Sequence, residues 1–169
     1  MSEIINKVAQ SGIVTINLEE LLPAGDRVAL DITPWLYEEL ILKEKDFREY
    51  IKQHNWNQYQ GQHVAVFCSA DAIVPTWAYM LISAQLSGIA TTVFFGTIEE
   101  MEKQLFHDTL KSICPSEYKD QRVVIKGCSD VPVPVSAYLE ITQLLQPHVK
   151  SIMYGEPCST VPVFKRKDS

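Results

Sequence analysis

Apolar residues along this chain fall into short runs separated by longer stretches with helical spacing. Arg27–Ile32, His63–Phe67, Ala90–Phe95, Arg122–Lys126 and Ser151–Tyr154 are short, rich in branched or aromatic side chains, and predict strands. Between them, Thr33 reads as a helix cap and Pro34 as the first position of a helix running to about Asn55. Leu36, Leu40, Phe47 and Ile51 would share its inner face, opposite a charged face carrying the Glu39/Lys43 and Glu44/Arg48 pairs. Val74–Leu86 predicts a helix apolar nearly all round, with Gly88 as its C-terminal cap. Thr97 and Glu100 form a capping box for a helix reaching about Ile113. A further helix starts near Pro134, turns Tyr138, Ile141 and Leu145 inward, and stops at Pro147.

Strands of continuous apolar character alternating with helices predict an α/β fold. The expectation is a three-layer sandwich: one mostly parallel sheet of about five strands, with helices on both faces. Ile13–Leu18 partly alternates and predicts an extra edge strand within an N-terminal segment, residues 1–26. Gly155–Pro162 reads as a turn and residues 163–169 as a tail. Beyond the strand–turn–helix unit no internal repeat is expected, and the 169 residues read as a single domain, 1–169.

Composition narrows the function classes. A net charge of −6 argues against a general nucleic-acid binder, which needs a basic face, and Lys165-Arg166-Lys167 reads as a solvated tail. No apolar run approaches the roughly 20 residues of a membrane span. The start of the chain lacks the pattern of a secretory leader. The expectation is therefore a cytoplasmic protein without membrane or nucleic-acid partners, whose four cysteines stay reduced.

Three of those cysteines recur in one setting. Cys68-Ser69, Cys128-Ser129 and Cys158-Ser159 each follow a predicted strand. In an open parallel sheet ligands bind outside the carboxyl ends of the strands. The predicted ends bring Asp31, Cys68, Gly96, Cys128 and Cys158 to that edge, with Asp71 and Asp130 in adjoining turns. Three thiolates with an open place suit zinc or an iron–sulfur cluster, and Asp31 or Asp71 is the candidate further ligand. Thiolates sharing one zinc lie about 3.8 Å apart. The site thus requires the Cys68 and Cys128 strands to be neighbours, about 4.8 Å apart.

Two other readings compete with the metal or small-molecule ligand. Cys68 before a helix can serve as a nucleophile, although no histidine is expected at that edge; Asp31 with Lys43 or Lys45 is the only other arrangement on offer. Alternatively the cysteines are inert turn residues and the Val74–Leu86 helix forms a homodimer interface. Cys114, at a helix end, reads as structural. Trp35, Phe47, Trp77 and Tyr79 read as core. Glycine-rich phosphate loops and a His-Glu-x-x-His zinc motif do not occur in the sequence.

Leu42–Arg48, Cys68–Tyr79 and Gly155–Pro162 together resemble a family of small bacterial proteins known only as a domain of unknown function, over nearly the whole chain. The resemblance implies the recurring Cys-Ser turns but no established activity. It inclines the reading towards a metal or cluster role.

Overall fold

The computed structural model describes residues 6–8, 12–127, 131–156 and 158–168. Its strands are β1 (Asn6–Val8), β2 (Ile13–Ile16), β3 (Arg27–Asp31), β4 (His63–Phe67), β5 (Thr92–Phe95), β6 (Arg122–Ile125), β7 (Ser151–Glu156) and β8 (Ser159–Lys165). Its helices are α1 (Glu44–Gln53), α2 (Thr76–Leu86), α3 (Ile98–Leu110) and α4 (Val135–Leu145). The chain divides into two compact units: unit 1 comprises residues 1–23 and 102–169, and unit 2 residues 24–101.

The α/β class holds, but the strands do not form one sheet. Unit 2 has a parallel sheet in the order β3-β4-β5; unit 1 has a mixed sheet in the order β1-β2-β6-β7-β8. After β5 the chain does not continue the first sheet. Instead β6 pairs in parallel with β2, Ile13 to Ile16 lying opposite Arg122 to Ile125. The strand expected at an edge over Ile13–Leu18 is β2, an inner strand of Ile13–Ile16, and β1 lies outside it. Periodicity reports that a segment is a strand; pairing depends on which faces must be covered.

Three local expectations are corrected. Helix α1 begins at Glu44 rather than Thr33. Thr33–Trp35 is a single 3-10 turn, and Glu38 and Glu39 then take positive φ of 51° and 57°, which an α-helix cannot accommodate. Mutual backbone hydrogen bonds between Tyr37 and Ile41 close that loop, leaving Leu40 57% exposed instead of buried. Gly155–Pro162 is not a simple turn: β7 and β8 form an antiparallel hairpin, with Gly155 at φ 123°. The supposed tail contributes to β8, and Arg166 beyond it ion-pairs with Asp120 at 2.6 Å.

The largest correction concerns repetition. Shift the chain by fifty-nine residues and the elements of unit 2 fall on those of unit 1. The 3-10 turn Trp56–Tyr59 becomes Pro115–Tyr118, β4 becomes β6, α2 becomes α4 and β5 becomes β7. From Glu44 to Phe95, twelve of fifty-two residues are identical to the one fifty-nine places later, where average composition gives about three. They include Phe47/Phe106, Tyr59/Tyr118, Pro75/Pro134, Tyr79/Tyr138, Ile82/Ile141 and Leu86/Leu145.

Local hydrogen bonds repeat as well. The Gly61 amide donates to Ile89 O and the Asp120 amide to His148 O, both at 2.9 Å. Gly61 and Asp120 share positive φ, 71° and 59°. Helices α2 and α4 follow Pro75 and Pro134, whose backbone angles agree within a few degrees (φ −60° and −58°).

Each unit buries its own core, and the repeat explains the choice of residues. Phe47, Ala78, Ile82 and Leu86 pack on β4 in unit 2. Their counterparts Phe106, Ala137, Ile141 and Leu145 pack on β6 and β7 in unit 1. Spacing of i, i+4 and i+8 along each second helix sets one apolar stripe against the sheet. Residues of α2 off that stripe face outward, and Met80 is 65% exposed, so the helix is not buried all round.

Candidate functional site

At the carboxyl end of the unit 2 sheet, Asp31 and Thr33 receive the turn that follows β4. Asp31 Oδ1 accepts from the backbone amides of Thr33 and Ser69, at 3.0 and 3.1 Å, and Oδ2 accepts from the Ser69 hydroxyl at 2.5 Å. Thr33 Oγ1 accepts from the amides of Ser69 and Ala70, at 3.0 and 3.2 Å. It also lies 3.5 Å from Cys68 Sγ, whose thiol donates to Ala70 O. The Cys68-Ser69-Ala70 turn is thereby fastened to the end of the neighbouring strand.

Electrostatics follow from that geometry. Burial by itself raises the Asp31 carboxyl, but hydrogen bonds from Ser69 and Thr33 outweigh it and hold the group at about 2. The Tyr79 hydroxyl is pushed up, first by burial and then by negative charge at Cys68 and Asp31. The carboxylate is thus stabilised as an anion, with its oxygens committed to this turn.

These contacts redefine several expected roles. Thr33 ties two strand ends together and does not cap a long helix. Asp31 reaches Cys68 only through Thr33 and Ser69, while Asp71 lies exposed in the loop before α2. Helix α2 starts at Thr76, eight residues after Cys68. Lys43 sits 3.3 Å over the Tyr37 ring. His54 belongs to an aromatic group with Trp35, Trp56 and Tyr59, and burial lowers its pKa.

Unit 1 places its cysteines differently. Strands β6 and β7 are parallel neighbours, so the segments leading to Cys128 and Cys158 depart from adjacent strand ends. The roots of those segments touch: the Tyr154 hydroxyl donates to Gly127 O at 3.1 Å. A Cβ on Gly127 would lie 2.1 Å from the Tyr154 ring, which explains glycine there. Lys126 and Glu156 pair across the same two strands at 3.7 Å. Cys158 is exposed; Cys128 lies outside the described residues. Cys114 is also exposed, 3.1 Å from Ser116 Oγ.

The strand condition for three thiols at one sheet edge is not met. The Cys68 strand is β4 of the three-stranded sheet, and the Cys128 strand is β6 of the other. Among the described residues, no group of three or more His, Cys, Asp or Glu side chains is placed to hold a metal ion.

Each unit also carries an apolar cleft between its second helix and the outer strands. In unit 2 it measures about 580 Å³ and is lined by Tyr79, Met80, Ser83, Val93 and Phe95 among others. In unit 1 it measures about 420 Å³ and is lined by Tyr138, Leu139, Thr142, Ile152 and Tyr154, with Val163 of β8 as an added wall. The first five residues named in each cleft correspond one to one across the repeat. Edge-on ring pairs recur too: Tyr79–Phe95 at 4.9 Å and Tyr138–Tyr154 at 5.8 Å.

A protein-family comparison matches residues 2–166 to the family described as protein of unknown function DUF2480. The chain belongs to that family. No curated protein and no solved structure matches it. Family membership assigns no chemistry to these residues, so the geometry has to supply the reading. No helix among the described residues is long and apolar enough to cross a membrane.

Sequence reasoning missed Thr33, Ser69, Gly127 and Tyr154 as organisers of the strand ends. The signal for the first pair was present in Asp31-Ile32-Thr33, because Asp and Thr just past a strand accept backbone amides two residues on. The Gly127–Tyr154 contact spans the β6–β7 crossover and has no local signature.

Proposed function

We propose that this chain binds a thiophilic metal, zinc or an iron–sulfur cluster, and that Cys128 and Cys158 of unit 1 are its thiolate ligands. The observation that carries the reading is the parallel pairing of β6 with β7. It sets the last paired residues, Ile125 and Tyr154, on strands about 4.8 Å apart, three and four residues before Cys128 and Cys158, and thiolates on one zinc sit about 3.8 Å apart. The Tyr154–Gly127 hydrogen bond supports it by holding the roots of both segments together. Glu156, two residues before Cys158, is the candidate for a further position, and taking it would release Lys126. Soft thiolates select zinc and iron–sulfur clusters over hard cations. A cytoplasmic setting, which keeps thiols reduced, belongs to the same reading.

Cys68, Asp31 and Asp71 fall outside this ligand set. Asp31 already accepts three hydrogen bonds, and Cys68 is engaged with Thr33 and Ala70. Elemental analysis and the absorption spectrum of protein purified under reducing conditions test the proposal. Stoichiometric zinc or iron, lost equally in Cys128→Ser and Cys158→Ser and retained in Cys68→Ser, is expected. Metal-free protein whose Cys128 and Cys158 do not compete for added zinc would sink it.

A further inference from the structure

We propose that the outer edge of β5 is a self-association site, where β5 of one copy pairs antiparallel with β5 of a second copy. Unit 1 shows what its equivalent edge requires. There β7 occupies the β5 position, and β8 covers it antiparallel from Ser159 to Lys165. The unit 2 sheet ends at β5, and among the described residues no strand pairs with its outer side.

The edge is chemically prepared for a strand. The Gly96 amide donates to Val66 O, so by alternation the Val93 and Phe95 amides face outward. Phe95 is 69% and Val93 37% exposed, beside the larger of the two clefts. That cleft lacks the wall that Val163 of β8 provides in unit 1.

Other edges carry the features that deter pairing, and β5 does not. Strand β8 contains Pro162, a register shift and a terminal Lys165; β3 has Arg27 and Asp31 at its ends. Thr92-Val93-Phe94-Phe95 has no proline and no charge.

Charge and symmetry select a second copy as the occupant. Thr91 to Ile98 contains no ionisable side chain in a chain of net charge −6, so a like-charged copy meets no repulsion there. Two copies using the same edge about a two-fold axis must run antiparallel, as β8 does on β7. Four residues per strand fall short of the roughly 800 Å² per partner of a standard interface, so the dimer is weak, in about the micromolar range.

Sedimentation equilibrium over a concentration series tests this, with hydrogen exchange of the unaltered chain. A mass rising towards twice 19.2 kDa is expected. Phe95→Lys and Val93→Lys should each weaken association about tenfold or more, whereas Val161→Lys on β8 should not. The Val93 and Phe95 amides should be protected in concentrated protein and exchange on dilution. This last readout decides the matter if a lysine variant fails to fold. A monomer at every concentration with rapidly exchanging Val93 and Phe95 amides overturns the proposal and leaves the edge to a strand from a different protein. A dimer that survives both lysine substitutions overturns it as well.

Discussion

Units 1 and 2 share a 3-10 turn, strand, helix and strand, yet they finish the plan differently. In unit 1, β1 and β8 close both sides of the central three strands; in unit 2 no further strand joins those three among the described residues. The strand ends differ as well. Cys68 in unit 2 takes the place that Gly127 holds in unit 1 at the fifty-nine-residue step, and Phe95 that of Tyr154. A tyrosine reaching back to Gly127 O needs the room only glycine leaves, whereas Phe95 packs edge-on against Tyr79 and has no hydroxyl to make that bond. The shared parts hold the core, and the unshared parts lie at strand ends and sheet edges.

That comparison can be broken at its core first. Phe47→Ala and Phe106→Ala each remove a fully buried ring from an equivalent position. Each should cost about 3–5 kcal/mol in chemical denaturation. A loss confined to one variant would show that the two cores are not equivalent.

Next is the strand-end difference. Gly127→Ala forces a methyl onto the Tyr154 ring and should cost about 1–3 kcal/mol. In the Gly127→Ala/Tyr154→Ala double variant the clash disappears, so the substitution at 127 should cost much less on that background. Additive losses in a double-mutant cycle would refute the steric account.

Acid titration separates Asp31 from Asn17, which follows β2 where β2 pairs with β6 as β3 pairs with β4, and whose side chain likewise accepts the amide two residues on. The Asp31 carboxyl lies below its ordinary value of 3.8, at about 2, so folding favours the charged form. That stabilisation is complete above the ordinary value and drains away as pH falls through about 2. Asp31→Asn should lower folding stability near neutrality by at most about 2 kcal/mol after allowing for partial exposure. The gap to wild type should shrink in acid. A gap that stays constant with pH would remove the carboxylate from the explanation, and Asn17→Ala should show no such pH dependence.

The smallest effect belongs to the matched left-handed positions. Gly61→Ala meets no atom within 4 Å, so its cost is backbone strain alone, about 1 kcal/mol. No change in stability would mean that the turn relaxes out of its positive φ.

How much of this could be read from the sequence depends on range. Strands β3 to β7, helices α2 and α4, the Thr97/Glu100 capping box and the Gly88 stop were legible, because spacing and capping act within a few residues. The capping box forms as expected: the Thr97 amide donates to Glu100 and the Glu100 amide to Thr97 Oγ1. The loop from Leu36 to Lys43 was not legible, since Leu40 and Ile41 keep helical spacing while the positive φ at Glu38 and Glu39 breaks the helix. The repeat was hidden because its identities are thinly spread and Cys68-Ser69 and Cys128-Ser129 are sixty rather than fifty-nine residues apart.

The sequence by itself determined which segments are strands and helices, and that a cysteine follows three of the strands. Only the tertiary structure decided that β6 takes β2 as its neighbour and leaves the sheet of β4. Pairing is settled by burial of whole faces across distant segments, and no local pattern encodes it. That one choice parts the strand before Cys68 from the strand before Cys128, and among the described residues no strand pairs with the outer side of β5.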